Sequence, residues 1–254
     1  MTPATELQIL KLARVDSTNT YVREHFDTLP DLSLVTAEFQ TAGRGRLGRK
    51  WIAPPGVNFC GTFCFKSVPD GFHAGMLCGI ALMETVNTLL PEDDRFYLKW
   101  PNDLYYGKAK VAGLLGEGVI RNGRLAGVAL GIGLNVNTSS DDLKDVGQSA
   151  TSLKIIAQKE FNMDFVTNLL AKSLNACYIM YSNSIETVFA KWRSCNKLIG
   201  RTIAVTDAGG KRWEGIFSDV TSEGEMVLEI PGADGGVTRK CFNCGDVSVD
   251  KSSF

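Results

Sequence analysis

The chain has 254 residues, enough for one sizeable core or for a larger domain with a small one beside it. Its 27 Lys+Arg against 28 Asp+Glu leave a net charge of −1, which argues against a general nucleic-acid or membrane-surface binder. With 44% hydrophobic and 22% charged residues the composition is ordinary for a globular protein, so disorder, collagen and coiled coil are poor readings. The longest apolar runs, residues 75–83 and 127–134, fall far short of the ~20 residues that span a bilayer. The first thirty residues contain no apolar signal core. Seven cysteines, an odd number in a chain too large to need a disulfide framework, read as reduced thiols of a cytoplasmic protein. Two histidines, His25 and His73, are too few for a multi-histidine zinc site, and no Gly-x-Ser-x-Gly elbow accompanies either.

The run Asp16-Ser17-Thr18-Asn19 is rich in capping residues and predicts a helix starting near Ser17. Residues 33–39 read as a strand. Val57, Phe59, Gly61, Phe63 and Phe65 alternate with Asn58, Cys60, Thr62, Cys64 and Lys66, the period of a strand with one strongly apolar face. Residues 73–90 read as a buried helix closed by Pro91, and 96–100 as a short strand stopped by Pro101. Residues 111–120 and 125–135 predict a hairpin around Arg121-Asn122-Gly123. Residues 165–195 read as one long helix with Val166, Leu169, Leu170, Leu174, Cys177 and Tyr178 as its stripe. Beyond Leu198 the texture changes: five short strands in about fifty residues predict a small β-barrel.

Three segments carry chemistry. The run Gln40-Thr41-Ala42-Gly43-Arg44-Gly45-Arg46-Leu47-Gly48-Arg49-Lys50-Trp51 holds four cations and three glycines with no acid. Its Gly43-x-Gly45-x-x-Gly48 matches the dinucleotide fingerprint only superficially, because Pro54-Pro55-Gly56 follow where that fingerprint opens a helix. What remains is a flexible glycine loop with forked guanidinium donors suited to phosphate or carboxylate, and Trp51 to stack on a purine. A solvated basic loop or an RNA contact is the alternative. Lys99-Trp100-Pro101-Asn102-Asp103 puts polar groups at a strand end, with Lys108 and Lys110 in the loop that follows; a plain β-turn accounts for it as well. Gly131-x-Gly133-x-Asn135 lets a ligand come close or marks a bulge. Cys241-x-x-Cys244 has no second ligand pair and reads as two incidental thiols.

In this order, Asp16–Asn19, the glycine–arginine loop, Lys99–Asp103 with Lys110-x-x-Gly113, Gly131–Asn137 and Ala150-Thr151-Ser152-Leu153 resemble the biotin protein ligase family over nearly the whole chain. The resemblance implies an α/β fold of α+β type. A catalytic domain like that of class II aminoacyl-tRNA synthetases, with a mixed sheet, covers residues 1–198, and a small SH3-like β domain covers 199–254. It implies a reaction in which biotin and ATP, with Mg²⁺, form biotinyl-5′-AMP. A lysine of a biotin carboxyl carrier domain, such as that of acetyl-CoA carboxylase, then takes the biotin.

Carried over, Ser17, Thr18 and Gln40 hydrogen-bond biotin, with Asn19, Arg44, Gly45 and Arg46 around it. Lys110 binds the carboxylate and the α-phosphate as the main catalytic group, and Asp103 handles the incoming lysine. Gly43, Arg44, Arg46, Arg49, Trp51, Asn102, Lys110 and Asn135 take the nucleotide; no protein residue is assigned to a metal. Only sixteen residues precede Ser17, too few for a DNA-binding domain, so DNA-binding repression is not expected; the resemblance leaves a homodimer open, since members of the family often pair as dimers. A lipoate ligase shares the strategy, but its Arg-Arg-x-x-Gly-Gly-Gly loop is missing here. A non-enzymatic biotin-sensing regulator is the other alternative.

Overall fold

The computed structural model describes residues 7–91, 93–144, 146–232, 235–243 and 245–249. Seven strands form one mixed sheet: β1 (Ile9–Val15), β2 (Leu34–Gln40), β3 (Phe59–Phe65), β4 (Phe96–Lys99), β5 (Asp103–Tyr106), β6 (Ala109–Arg121) and β7 (Arg124–Leu134). Their order is β1-β2-β3-β7-β6-β5-β4, with β1 and β2 parallel and every other pair antiparallel. The helices are α1 (Thr18–Glu24), α2 (Gly71–Leu89), α3 (Leu153–Ala157), α4 (Met163–Asn183) and α5 (Ile185–Ser194). A second, antiparallel sheet at the carboxy end holds β8 (Thr202–Thr206), β9 (Arg212–Val220), β10 (Met226–Pro231), β11 (Val237–Phe242) and β12 (Asp246–Val249) in the order β11-β10-β9-β8-β12, consistent with an SH3-like domain. Among the described residues no helix is long and apolar enough to cross a membrane.

The two faces of the large sheet are covered differently. Helix α2 lies on β6 and β7, and α4 and α5 pack on α2. This side holds the main core, with Phe59, Phe63 and Phe65 of β3 facing Leu77, Ile80 and Leu82 of α2 among its fully buried members. The short α1 covers the other face near β3 and β7, where Val22, Phe26, Val35 and Cys64 form a second cluster. All seven residues of β3 are therefore buried, whereas its alternation predicted one apolar face. The less apolar face is covered too, by elements remote in sequence.

Local signals worked where they were strong. The hairpin turn has Asn122 at φ 51° and Gly123 at φ 73°, the left-handed pair that an Asn-Gly primed turn requires. Asp70 opens α2 by accepting from the His73 amide at 3.0 Å. The predicted single helix over 165–195 is instead two. Ser184 is extended (φ −159°, ψ 113°), which ends α4, and its hydroxyl accepts the Thr187 amide at 3.2 Å to start α5. Strands β1 and β5 and the short α3 lie where no element was expected. Lys110 consequently sits on strand β6, not in a loop. Cys241 is exposed, and Cys244 lies outside the described residues.

Candidate active site

A cavity of about 750 Å³ opens on the α1 side of the sheet. Its wall is formed by the start of α1, the 40–52 segment, β5 to β7, Leu143, residues 146–148, Ala150, and Gly245 and Val247 at the carboxy-terminal sheet. Every residue singled out for the site lines it except Gly43. Gly43 is buried in the neck of the loop, where a Cβ would stand 2.6 Å from the Trp51 carbonyl oxygen, so only glycine lets the two legs close.

The expected flexible loop is a hairpin. Thr41 and Ala42 donate to the Val15 and Asp16 carbonyls, and Trp51 donates to the Gly43 carbonyl at 3.0 Å. Gly45 donates to Arg49 at 2.7 Å, with a tight turn over Arg46–Gly48 between them. Two side chains tie it down. Arg46 Nη1 donates to Asn102 Oδ1 at 3.0 Å, and Arg44 turns away to Glu117 of β6. The Trp51 indole lies on Gly133 of β7, where a Cβ would be 2.2 Å from a ring carbon. A Cβ on Gly131 would meet Asn19 Oδ1 at the same distance. The two strand glycines thus make room for protein side chains, which resolves the bulge-or-ligand ambiguity.

At the inner end a polar cluster is almost fully enclosed. Ser17, Thr18 and Asn19 are each buried. Ser17 holds the N-cap backbone geometry of α1 without a capping bond from its hydroxyl, and it lines the cavity. Gln40 Oε1 accepts from the Thr18 amide at 2.8 Å and from its hydroxyl at 3.1 Å. Thr62, fully buried on β3, stands 2.8 Å from Thr18 Oγ1 and 2.6 Å from Asn19 Oδ1. Asn19 Nδ2 donates to the Leu115 carbonyl and to Glu117. Burial pushes the Cys60 thiol up to about 11. It is a neutral wall at neutral pH, not a nucleophile.

At the outer end Lys110 Nζ lies 2.6 Å from Asp103 Oδ1, with the two side chains 14% and 20% exposed. A Cβ on Gly113 would press to 3.1 Å from Lys110 Nζ, so this glycine clears space for the pair. The Lys110 backbone is clamped between the Ser149 carbonyl and the Thr151 amide. Asn135 fixes the same segment through its amide to the Thr151 carbonyl. Asn102 bonds the Leu114 backbone with its side-chain nitrogen and its carbonyl. Asp103 is the one carboxylate on the described cavity wall, and it is already paired.

Residues 12–135 match the model of the biotin/lipoate A/B protein ligase family. That match spans just under half of the chain. It is 29% identical over 227 residues to the bifunctional ligase/repressor BirA of Escherichia coli, covering 86% of this chain and 68% of that protein. It is likewise 29% identical to the biotin–[acetyl-CoA-carboxylase] ligase of Mycobacterium tuberculosis, covering 89% and 84%. A biotin protein ligase from Aquifex aeolicus, solved with biotin and ATP, shares the fold with a TM-score of 0.78 at 23% identity, over 95% of this chain and 97% of that one. Within this ligase fold, sequence reasoning missed Thr62 and Glu117. The only signal for either was a polar residue inside an otherwise apolar strand.

Proposed function

We propose that this protein is a biotin protein ligase. The biotin carboxylate attacks the α-phosphate of ATP, pyrophosphate leaves, and biotinyl-5′-AMP forms. The amine of a carrier-domain lysine then attacks the anhydride carbonyl, and AMP leaves as the amide forms. The observation that carries this reading is the junction of two elements distant in sequence: the arginine loop, tied by Arg46 to Asn102, closes over the wall that holds the Lys110–Asp103 pair.

Two anions must meet in the first step, so fixed positive charge is the principal requirement. Lys110 supplies it from a shielded position, with Arg46 and Arg49 on the loop above. Ser17, Thr18 and Gln40 form the polar end suited to a cyclic urea, with Asn19 committed to Thr62 and Glu117 beside them. Trp51 and Asn102 border the nucleotide side, and Asn135 holds its floor. In the second step Asp103 takes the proton from the incoming ammonium as Lys110 turns to the phosphate. Among the described residues the wall carries a single carboxylate, that of Asp103; Mg²⁺ would be held largely by the nucleotide phosphates, and no step is assigned to it. Residues 1–198 form the catalytic domain and 199–254 the carboxy-terminal one. Its partner is the biotin carboxyl carrier domain of a carboxylase such as acetyl-CoA carboxylase, in the cytoplasm.

The test is the intact mass of a biotin carboxyl carrier domain after incubation with this protein, biotin, ATP and Mg²⁺, beside a lipoate and lipoyl-domain reaction. An ATP-dependent, biotin-sized gain is expected. A gain only with lipoate, or biotin binding with no transfer to either acceptor, overturns the proposal.

A further inference from the structure

Glu117 takes no part in the reaction as written, yet three side chains converge on its carboxylate. Arg44 Nη2 lies 3.0 Å from Oε2 and 3.3 Å from Oε1. Asn19 Nδ2 donates to Oε2 at 2.8 Å, and Arg23 Nη1 stands 3.5 Å from Oε1. The other terminal nitrogen of Arg44 donates to Thr20 Oγ1 at 3.0 Å. One guanidinium therefore bridges α1 and β6, while Arg46, two residues along the loop, bonds Asn102 on the far side of Gly45.

We propose that Glu117 is a positioning residue which, with Arg44, latches the 40–51 loop shut over the cavity and fixes Asn19 in the same act. The inference rests on the function proposed above. An exposed ion pair contributes little to stability by itself. This one joins a loop to the sheet, so its effect appears in the closed fraction of the loop, not in the melting temperature. The carboxylate also does what no neutral acceptor can. It satisfies a buried amide and a forked guanidinium together, with charge-assisted bonds to the latter. Arg44 then acts on the substrates through the loop, a role distinct from that of Lys110.

The test uses the full chain as parent, E117A, E117Q, R44A and the double variant R44A/E117A. Three readouts are taken: tryptic cleavage after Arg46, Arg49 and Lys50, mapped by mass; escape of biotinyl adenylate into solution without acceptor; and thermal melting. E117A and R44A should each raise loop cleavage and adenylate escape about fivefold, with the double variant no worse than either single one. E117Q should fall between parent and E117A, and melting should stay near that of the parent. Additive effects, or parent-like loop protection in E117A, overturn the latch. So does an R44A that abolishes adenylation while E117A keeps it, which makes Arg44 a phosphate ligand instead. Should E117A fail to fold, E117Q against R44A carries the same comparison. A parent that forms no adenylate sinks the proposed function alone, because loop cleavage still decides the latch.

Discussion

Lys110→Ala is the most informative single change, because the structure fixes both what is lost and what is exposed. Lys110 is the cation nearest Asp103, at 2.6 Å and 14% exposed. A unit charge ~4 Å from a phosphate, at an effective dielectric of ~20, stabilises it by about 4 kcal/mol. That is about a thousandfold in rate if the interaction is made mainly in the transition state. The variant does more than remove this attraction. It leaves Asp103 unpaired, an anion facing two anionic substrates, so the loss exceeds that of the cation alone. Lys110→Ala with Asp103→Asn should therefore be about tenfold more active than Lys110→Ala. The assay is biotin-dependent exchange of labelled pyrophosphate into ATP, which reports the first step and avoids any role of Asp103 in the second. Asp103 is 20% exposed and can hydrate, so melting should drop by no more than the ~1 kcal/mol typical of a part-exposed pair. Exchange within tenfold of the parent in Lys110→Ala, or no recovery in the double variant, refutes the reasoning.

Gly133→Ala puts a Cβ 2.2 Å from the Trp51 ring, which must leave its seat. The KM for ATP should rise at least about tenfold with little change in melting, checked by steady-state kinetics and calorimetry. Thr62→Val preserves shape but removes the hydroxyl that links Thr18 and Asn19. It should cost about 1–2 kcal/mol of stability and weaken biotin binding, measured by denaturant unfolding and titration calorimetry. Burial raises the thiols of Cys60, Cys64 and Cys177 to about 11 from 9.0. The folded state therefore holds these protons more tightly than the unfolded chain does. Stability is unaffected below pH 9, falls as pH rises from 9 to 11, and levels off above, on the order of 2 kcal/mol per thiol. Melting across that range should show this fall, and a Cys64→Ala variant should show less of it.

Legibility of the fold in the sequence followed the range of the interactions. The Asn122-Gly123 turn is written within four residues and stands where expected; the Asp70 cap is just as local, but the expected helix began at residue 73 and left it out. The break at Ser184 is equally local, but an apolar stripe that continues from α4 into α5 hides it, so periodicity joins the two helices. Strand β5 escaped notice because Asn102-Asp103 at its start and Lys108 just beyond it read as turn chemistry. Its partner β6 supplies the pairing, Asp103 to Gly113 and Leu104 to Ala112, from several residues away. The alternation of β3 identified its two faces, yet the cover of the second face comes from α1 and Trp51, which no window around β3 contains.

The site shows the same division more sharply. The residue types were readable, since a run of four cations and three glycines without an acid has few uses. Their commitments were not. Arg44 and Arg46 are chemically alike and two residues apart, but one is held by a carboxylate 73 positions away and the other by an amide 56 positions away. Glu117 looks like an ordinary outward-facing strand residue until α1 folds back beside it. A cation's role in such a loop is set by which partner reaches it first, and that follows from register. The same register aligns Gly113 with Gly133 and Leu115 with Gly131 between β6 and β7. A one-residue slip of that pair would move Glu117 to the core face and bury an unpaired charge. The arrangement of latch and cavity is thus specified by the long β6–β7 hairpin, and so by its Asn122-Gly123 turn, at the end of the strands away from the chemistry.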